Sequence, residues 1–187
     1  MQRTRETLLG VLRGYDSMEA LSTVRWDERL VEKAHGAREG KSNQLPPEKA
    51  EEMERAKGTD MSTLFKETDE DVYARVLPVI HEEIARVVSS DSPKDSLLVI
   101  HGGIIRVLLR DIFEVGGKDK IRVWNGSVSR VGVSVSKSST SPLPDAAMDK
   151  NSIVVKGELH TWTCALAGPI GDVTYLPEDL RVKRSDV

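Results

Sequence analysis

The stretch that most constrains the fold is residues 95–113, DSLLVIHGGIIRVLLRDIF. Four apolar residues follow one another over 97–100, as in a strand that is covered on both faces. His101, Gly102 and Gly103 come next, and apolar residues then recur at helical spacing. In open α/β sheets, ligands bind where strands end and helices begin. We therefore predict an α/β domain that holds His101 at the ligand-binding edge of its sheet.

Helices and strands alternate along the rest of the chain. Residues 2–15 and 68–88 carry apolar side chains three and four positions apart, and Thr68 with Asp71 resembles a capping box at the start of the second helix. Two further segments are strand candidates, 127–135 and 153–162. These elements predict a three-layer α/β sandwich with a mostly parallel sheet flanked by helices.

Two polar stretches interrupt what is otherwise one domain, residues 1–187. With 187 residues and 39 % of them hydrophobic, the chain has the size of one ordinary globular unit. Segment 42–66 is rich in charge, with Pro46 and Pro47 as the entry and Gly58 as the exit of a short helix, and is interpreted as a polar insertion or lid. Segment 136–151 is turn-rich and is interpreted as a flexible connector.

Composition and charge exclude several classes of function. A net charge of −3 gives no basic face of the kind that a general nucleic-acid binder needs. Cys164 is the only cysteine, so neither an intrachain disulfide nor a thiolate zinc site can form. No apolar run approaches the length of a membrane span or of a signal-peptide core. We expect an intracellular, cytoplasmic protein without nucleic-acid or membrane partners; a nuclear location and the oligomeric state are left open.

The glycines beside His101 suit an anion. They let the backbone approach a ligand closely, and the N–H groups at the start of a helix favour negative charge. An esterase would also need G-x-S-x-G, and a nucleotide fold would need a P-loop or G-x-G-x-x-G; the sequence contains none of these. The alternative is that His101 only hydrogen-bonds to a neighbour, because HGG alone specifies little.

Several stretches together resemble one family. The run LVIHGGIIRVLLRDIF (98–113) resembles the second-histidine motif of the histidine phosphatase superfamily, also called phosphoglycerate mutase-like. QRTRET (2–7) is similar to its R-[AT]-x-[QE]-T segment, and DERLVEKAHGAREGKS (27–42) is similar to its L-x-E-x-x-x-G-x-x-E-G segment. Three more stretches agree in chain order, ETDEDVYARV (67–76), VWNGSVSRV (123–131) and GDVTYL (171–176). Within the family, the spacing of these motifs is most similar to that of the small sugar-phosphate phosphatases.

The resemblance implies a small phosphomonoester as substrate, a sugar phosphate or similar, with no metal and no organic cofactor. It assigns the phosphate to Arg3, whose planar guanidinium can bind two phosphate oxygens at once. It assigns the general acid to Glu32, which would protonate the departing alkoxide. His101 would donate to the phosphoryl oxygens as charge shifts during transfer.

The same resemblance places Gly102, Gly103 and Asn125 around the phosphate. Each assignment has a plainer alternative: Asn125 is a turn residue, Arg3 is a solvated helix charge, and Glu67 with Arg75 is an ordinary surface pair.

One motif of the family is missing. Its members carry an R-H-G whose histidine accepts the phosphoryl group, and this sequence contains no R-H-G. We do not assign that role to His35, His81 or His160. We expect the N-terminal strand-helix-strand unit to be absent and the chain to be inactive alone, as a fragment, an isoform or a degenerate member. The second hypothesis is a non-catalytic phosphate-binding or regulatory module on the same scaffold.

Overall fold

The computed structural model describes residues 2–13, 24–42, 45–90, 95–115, 121, 123–138, 149–172 and 174. Within them lie four α-helices, α1 (Gln2–Arg13), α2 (Pro47–Ala56), α3 (Asp69–Val88) and α4 (Gly102–Val107), the last of which continues as a π-helical segment, Leu108–Ile112. Short 3-10 turns cover Glu28–Leu30, Gly36–Arg38 and Met61–Thr63. The strands are β1 (Val131–Lys137), β2 (Ser152–Val155) and β3 (Glu158–Leu166).

Helix α3 is the central element, and the sequence predicted it closely. Thr68 accepts a hydrogen bond from Asp71 N at 3.1 Å, and the Asp71 carboxylate accepts one from Thr68 N at 2.8 Å, so the predicted capping box is confirmed. Its apolar stripe is buried at five positions, Val72, Val76, Val79, Ile80 and Ile84. Burying each such side chain stabilises the fold by roughly 1.5–3 kcal/mol.

The core lies between α3, α4 with its π-helical continuation, and one face of the sheet. Trp162 on β3 is 1 % exposed and is the largest fully buried side chain of the described residues. Its ring meets Phe113 and His81 edge to face, with centroids 6.1 Å away in each case. This tryptophan therefore joins the sheet to both helices.

The sheet differs from the prediction. Among the described residues it has three strands in the order β1-β3-β2, and both pairs are antiparallel, so the expected mostly parallel sheet is not found there. The predicted strand 153–162 divides into β2 and β3 at Lys156 and Gly157. Both of these residues have positive φ, 51° and 82°, which is the backbone of a two-residue hairpin turn. A tight hairpin makes its two strands antiparallel.

Residues 97–100 also depart from the expected buried strand. They belong to no strand of the described structure, and Leu97 is 61 % exposed. An apolar run acquires strand hydrogen bonds only when a neighbouring strand pairs with it, and the run itself cannot supply that partner.

The other predicted segments can be compared with the structure in turn. Helix α1 lies within the predicted 2–15, and α2 lies within the polar segment 42–66 and is followed by Gly58 at φ 76°. The connector 136–151 lies largely outside the described residues, although β1 extends into it. In the described part of the chain, no helix is both long and apolar enough to cross a membrane.

Candidate functional site

Glu32 and His101 come together from distant parts of the chain. Glu32 follows the 3-10 turn Glu28–Leu30, and His101 precedes the first residue of α4 with extended backbone angles. The distance from Glu32 Oε2 to His101 Nδ1 is 3.7 Å, and the two side chains are 28 % and 17 % exposed. That spacing suits an ion pair when the imidazole is protonated, and it is too long for a direct hydrogen bond.

Gly103 lies directly under the Glu32 carboxylate. A Cβ atom at position 103 would stand 2.5 Å from Glu32 Oε1 and 3.5 Å from Lys33 Cβ. A side chain there would displace the carboxylate, so glycine is what allows this close approach. The sequence predicted this glycine for contact with a ligand, whereas the structure shows contact with the proposed acid itself.

The start of α4 adds positive potential beside these side chains. Ile105 N donates to His101 O at 2.9 Å, which is the first hydrogen bond of the helix. Backbone N–H groups that precede such a bond have no acceptor within the helix, and they form the positive end of its dipole. Half-buried Gly102 and Gly103 supply two of these groups. A negatively charged ligand is favoured at this end.

An ion pair between buried Glu67 and partly exposed Arg75 holds the backbone that carries Glu32. Arg75 Nε donates to Glu67 Oε1 at 2.7 Å, and Arg75 Nη2 donates to Glu67 Oε2 at 2.9 Å and to Val31 O at 3.0 Å. Glu67 Oε2 also accepts from Ala34 N at 2.8 Å. The Arg75 guanidinium lowers the pKa of the Glu67 carboxyl. The pair thus clamps the chain on both sides of Glu32.

This pair corrects one alternative from the sequence. The sequence also allows Glu67 and Arg75 to be an ordinary surface pair, but Glu67 is only 8 % exposed. The spacing of Glu67 and Arg75 in the sequence does not indicate the burial of Glu67. Their backbone partners, Ala34 and Val31, lie in the segment before α2.

A cavity of about 200 Å³ adjoins Gly103, and sequence reasoning missed most of its lining. Four cationic side chains line it, those of Lys33, Lys66, Arg106 and Arg110. Asp69 at the start of α3 accepts hydrogen bonds from Lys33 and Arg110, and these lower the pKa of its carboxyl. Positions 103, 106, 107 and 110 share one helical face, a spacing that could have revealed the site.

Two other predicted residues are exposed. Arg3 is exposed on α1, a helix without buried residues, and Asn125 is exposed in a turn before Gly126. The contacts described for these two residues do not join either of them to Glu32 or His101. Within GDVTYL, residues 173, 175 and 176 lie outside the described residues. No group of three His, Cys, Asp or Glu side chains in the described ranges could hold a metal ion.

Comparison with protein-family models identifies a family. The model of the histidine phosphatase superfamily (branch 1) matches residues 1–140, which include Glu32, Glu67, Arg75 and His101. Searches of curated proteins and of solved structures return no significant match.

Proposed function

Because the chain belongs to the histidine phosphatase superfamily, we propose that it binds a phosphomonoester at Glu32 and His101. The observation that carries this proposal is the approach of the two side chains to 3.7 Å over Gly103. A carboxylate and an imidazole at the start of a helix make a site in which one acidic group lies beside several hydrogen-bond donors. A dianionic ester next to a proton donor fits that distribution of charge.

Each group has one task in this proposal. The His101 imidazolium and the N–H groups of Gly102 and Gly103 hold the phosphoryl oxygens, because these donors point charge at a developing anion. Glu32, in its protonated form, donates to the leaving oxygen of the alcohol. Arg3 is assigned to the phosphate by its motif alone. The proposed alcohol is a compact one such as a sugar, in line with the branch that the sequence resembles.

The phosphoryl acceptor is the missing part. Members of the family transfer the phosphoryl group to the histidine of R-H-G, and the 187 residues contain no such tripeptide. Donors and a general acid do not replace a nucleophile that is held in line with the leaving group. In this proposal the polypeptide binds its ester and does not turn it over alone.

The missing R-H-G also supports a second candidate function, a non-catalytic phosphate-binding or regulatory module. The two candidates differ in what the transcript encodes upstream of Met1. An in-frame R-H-G there supports the enzyme, whereas an upstream stop codon without one supports the binding module.

Phosphate binding itself is tested by titration. Inorganic phosphate and phenyl phosphate are added to the full chain while the histidine ring signals are followed by NMR, with the His101 signal assigned from His101→Ala. We expect a saturable shift of His101 that Glu32→Gln alters. His160→Ala, on β3, is the matched control and leaves binding unchanged.

Two results would contradict the proposal. One is a folded chain whose His101 signal does not respond to either anion. The other is binding that survives intact in His101→Ala. Arg3→Ala is judged separately: loss of about tenfold in affinity supports its role, because a charge-assisted hydrogen bond contributes about that much.

A further inference from the structure

The cationic cavity beside Gly103 has no part in the phosphate site proposed at Glu32 and His101. Its volume is about 200 Å³, and neither Glu32 nor His101 lines it. Its walls come from three segments: the chain after Glu32, the residues that lead into α3, and one face of α4 with its π-helical continuation. Gly103 is the residue that the two sites share. The cavity is therefore a candidate for a ligand other than the ester.

One carboxylate brings two of the basic side chains of this cavity together. Asp69 Oδ1 accepts a hydrogen bond from Lys33 Nζ, and Asp69 Oδ2 accepts one from Arg110 Nη2 at 2.7 Å. All three residues line the cavity, and the side chains of Lys33, Asp69 and Arg110 are 19 %, 42 % and 37 % exposed. The three charged groups thus meet at a wall where a ligand has access to them.

The walls carry more positive than negative charge. Of the six charged residues that line the cavity, four are basic and two are acidic, Glu67 and Asp69. Arg75 binds Glu67 from outside the cavity, and Asp111 binds Arg110 from outside in the same way. When these pairs and Asp69 are taken into account, two formal positive charges remain in excess. An anion with two or more negative charges balances that excess.

The basic groups are spread along the wall rather than gathered at one point. Arg106 and Arg110 stand one helical turn apart, about 6 Å along the axis, and Lys66 comes from the segment before α3. We propose that the cavity binds a small polyanion whose negative groups are separated from one another, as in a di- or tricarboxylate. One carboxylate of this ligand competes with Asp69 for Lys33 and Arg110, and another reaches Lys66.

Asp69 is the internal competitor of the ligand, and Lys33 connects the cavity to the proposed acid. Hydrogen bonds from Lys33 and Arg110 lower the pKa of the Asp69 carboxyl, so it is charged at neutral pH. The backbone N of Lys33 donates to Glu32 Oε1 at 3.1 Å. A polyanion bound to Lys33 therefore acts one residue from Glu32, as an effector rather than as the ester itself.

The probe for this proposal is citrate, titrated calorimetrically into the full chain. Low ionic strength is used, because salt screens the attraction between partly exposed charges. We expect saturable binding of one citrate per chain. Sulfate carries its charge in one small group and reaches fewer of the donors, so it should bind about tenfold more weakly. In His101→Ala, which lacks a donor of the proposed phosphate site, citrate should bind as it does in the parent chain.

Asp69→Asn should strengthen citrate binding roughly tenfold. The amide removes a negative charge from the wall and loosens the hold on Lys33 and Arg110. A gain in affinity cannot arise from misfolding, so this variant stays informative even if it lowers stability. Glu70→Gln removes the same charge from the same turn of α3, outside the cavity, and is the matched control with unchanged affinity.

A second pair of variants tests the basic wall. Lys66→Gln should weaken citrate binding about threefold, because an exposed cation contributes modestly to an ion pair. Lys49→Gln, at an exposed position of α2 outside the cavity, should leave the affinity unchanged.

Four results would overturn the proposal. They are the absence of saturable heat from citrate in the folded chain, equal citrate affinity in Asp69→Asn and Glu70→Gln, sulfate binding as tight as that of citrate, and loss of citrate binding in His101→Ala. The last result would assign the anion to the phosphate site. Failure of phenyl phosphate to bind at His101 changes none of these outcomes, so the two proposals are tested independently.

Discussion

The Glu32 carboxylate rests on Gly103, so that a Cβ at position 103 would stand 2.5 Å from Glu32 Oε1. This contact joins the proposed acid to the first turn of α4. Gly103 lies two positions after His101 in the sequence. Its consequence is that the site has no room for a side chain at position 103, although the helix would otherwise prefer one.

Gly103→Ala should therefore separate function from stability. The atom it meets is the end of a flexible side chain, so Glu32 moves and the backbone does not. Alanine in place of glycine within a helix gains up to about 1 kcal/mol. We expect an unchanged or higher melting temperature by circular dichroism together with weakened phosphate binding. Gly10→Ala in α1, where nothing lies within 4 Å, is the control and should preserve binding. Full phosphate affinity in Gly103→Ala would refute the role of this contact.

Arg75→Ala should destabilise the fold and release Glu32. The substitution leaves the Glu67 carboxylate buried without its guanidinium, and it removes the donors to the backbone before Glu32. We expect a loss of about 2–3 kcal/mol in urea unfolding, less than for a fully buried pair because Arg75 is partly exposed. Arg55→Ala breaks an exposed pair with Glu51 on α2 and should change little. Equal effects of the two substitutions would show that the Glu67–Arg75 pair does not clamp this segment.

Glu83 on α3 should make stability sensitive to acid. Its carboxylate accepts hydrogen bonds from Arg86 and Ser96, and the Arg86 guanidinium lowers its pKa from 4.5 to about 2. Because the folded pKa is depressed, this stabilisation is complete above pH 4.5 and is lost as the pH falls toward 2. Glu83→Gln should reduce stability at neutral pH by about 1 kcal/mol, a value discounted for the exposure of Arg86.

The measurement is urea unfolding at a series of pH values. In Glu83→Gln the decline of stability below pH 4.5 should be shallower than in the parent chain. Glu52→Gln removes the same charge from an exposed position on α2 and should keep the parent slope. A parent slope in both variants would rule out Glu83 as the source.

The hairpin turn between β2 and β3 gives a test of the antiparallel sheet. Gly157 has φ 82° and nothing within 4 Å of an added Cβ, so Gly157→Ala acts only through backbone conformation. A left-handed alanine costs roughly 1–2 kcal/mol, which thermal unfolding would register. Gly168→Ala, also in open space but without positive φ, should be neutral. Equal melting temperatures for the two variants would argue against this turn.

The purified chain should not hydrolyse p-nitrophenyl phosphate. The phosphoryl acceptor R-H-G is not in the sequence, and the supporting donors do not replace it. Release of nitrophenolate is measured over hours against a buffer blank. Turnover that disappears in His101→Ala would show that these residues alone supply a nucleophile.

Local sequence was sufficient wherever the partners of a residue lie within a few positions of it. The capping box of Thr68 and Asp71 closes over three residues, and Gly58 ends its segment through its own backbone freedom. The sequence likewise predicts that a helix begins just after His101, as α4 does. The strand expected at residues 97–100 pairs with no other strand in the described residues. The motifs also pointed to the family, because their order along the chain carries that information.

Tertiary structure alone decided how distant segments meet. That Glu32 reaches His101 over Gly103, that Glu67 is buried beside Arg75, and that Trp162 packs against Phe113 and His81 all depend on packing between elements. The pairing of β1 with β3 belongs with these, because the two strands are distant in sequence and meet only in the folded sheet. Hydrogen bonds within one turn of chain are encoded by neighbouring residues. A contact between distant segments depends on the whole arrangement of the core, which periodicity in one segment does not specify.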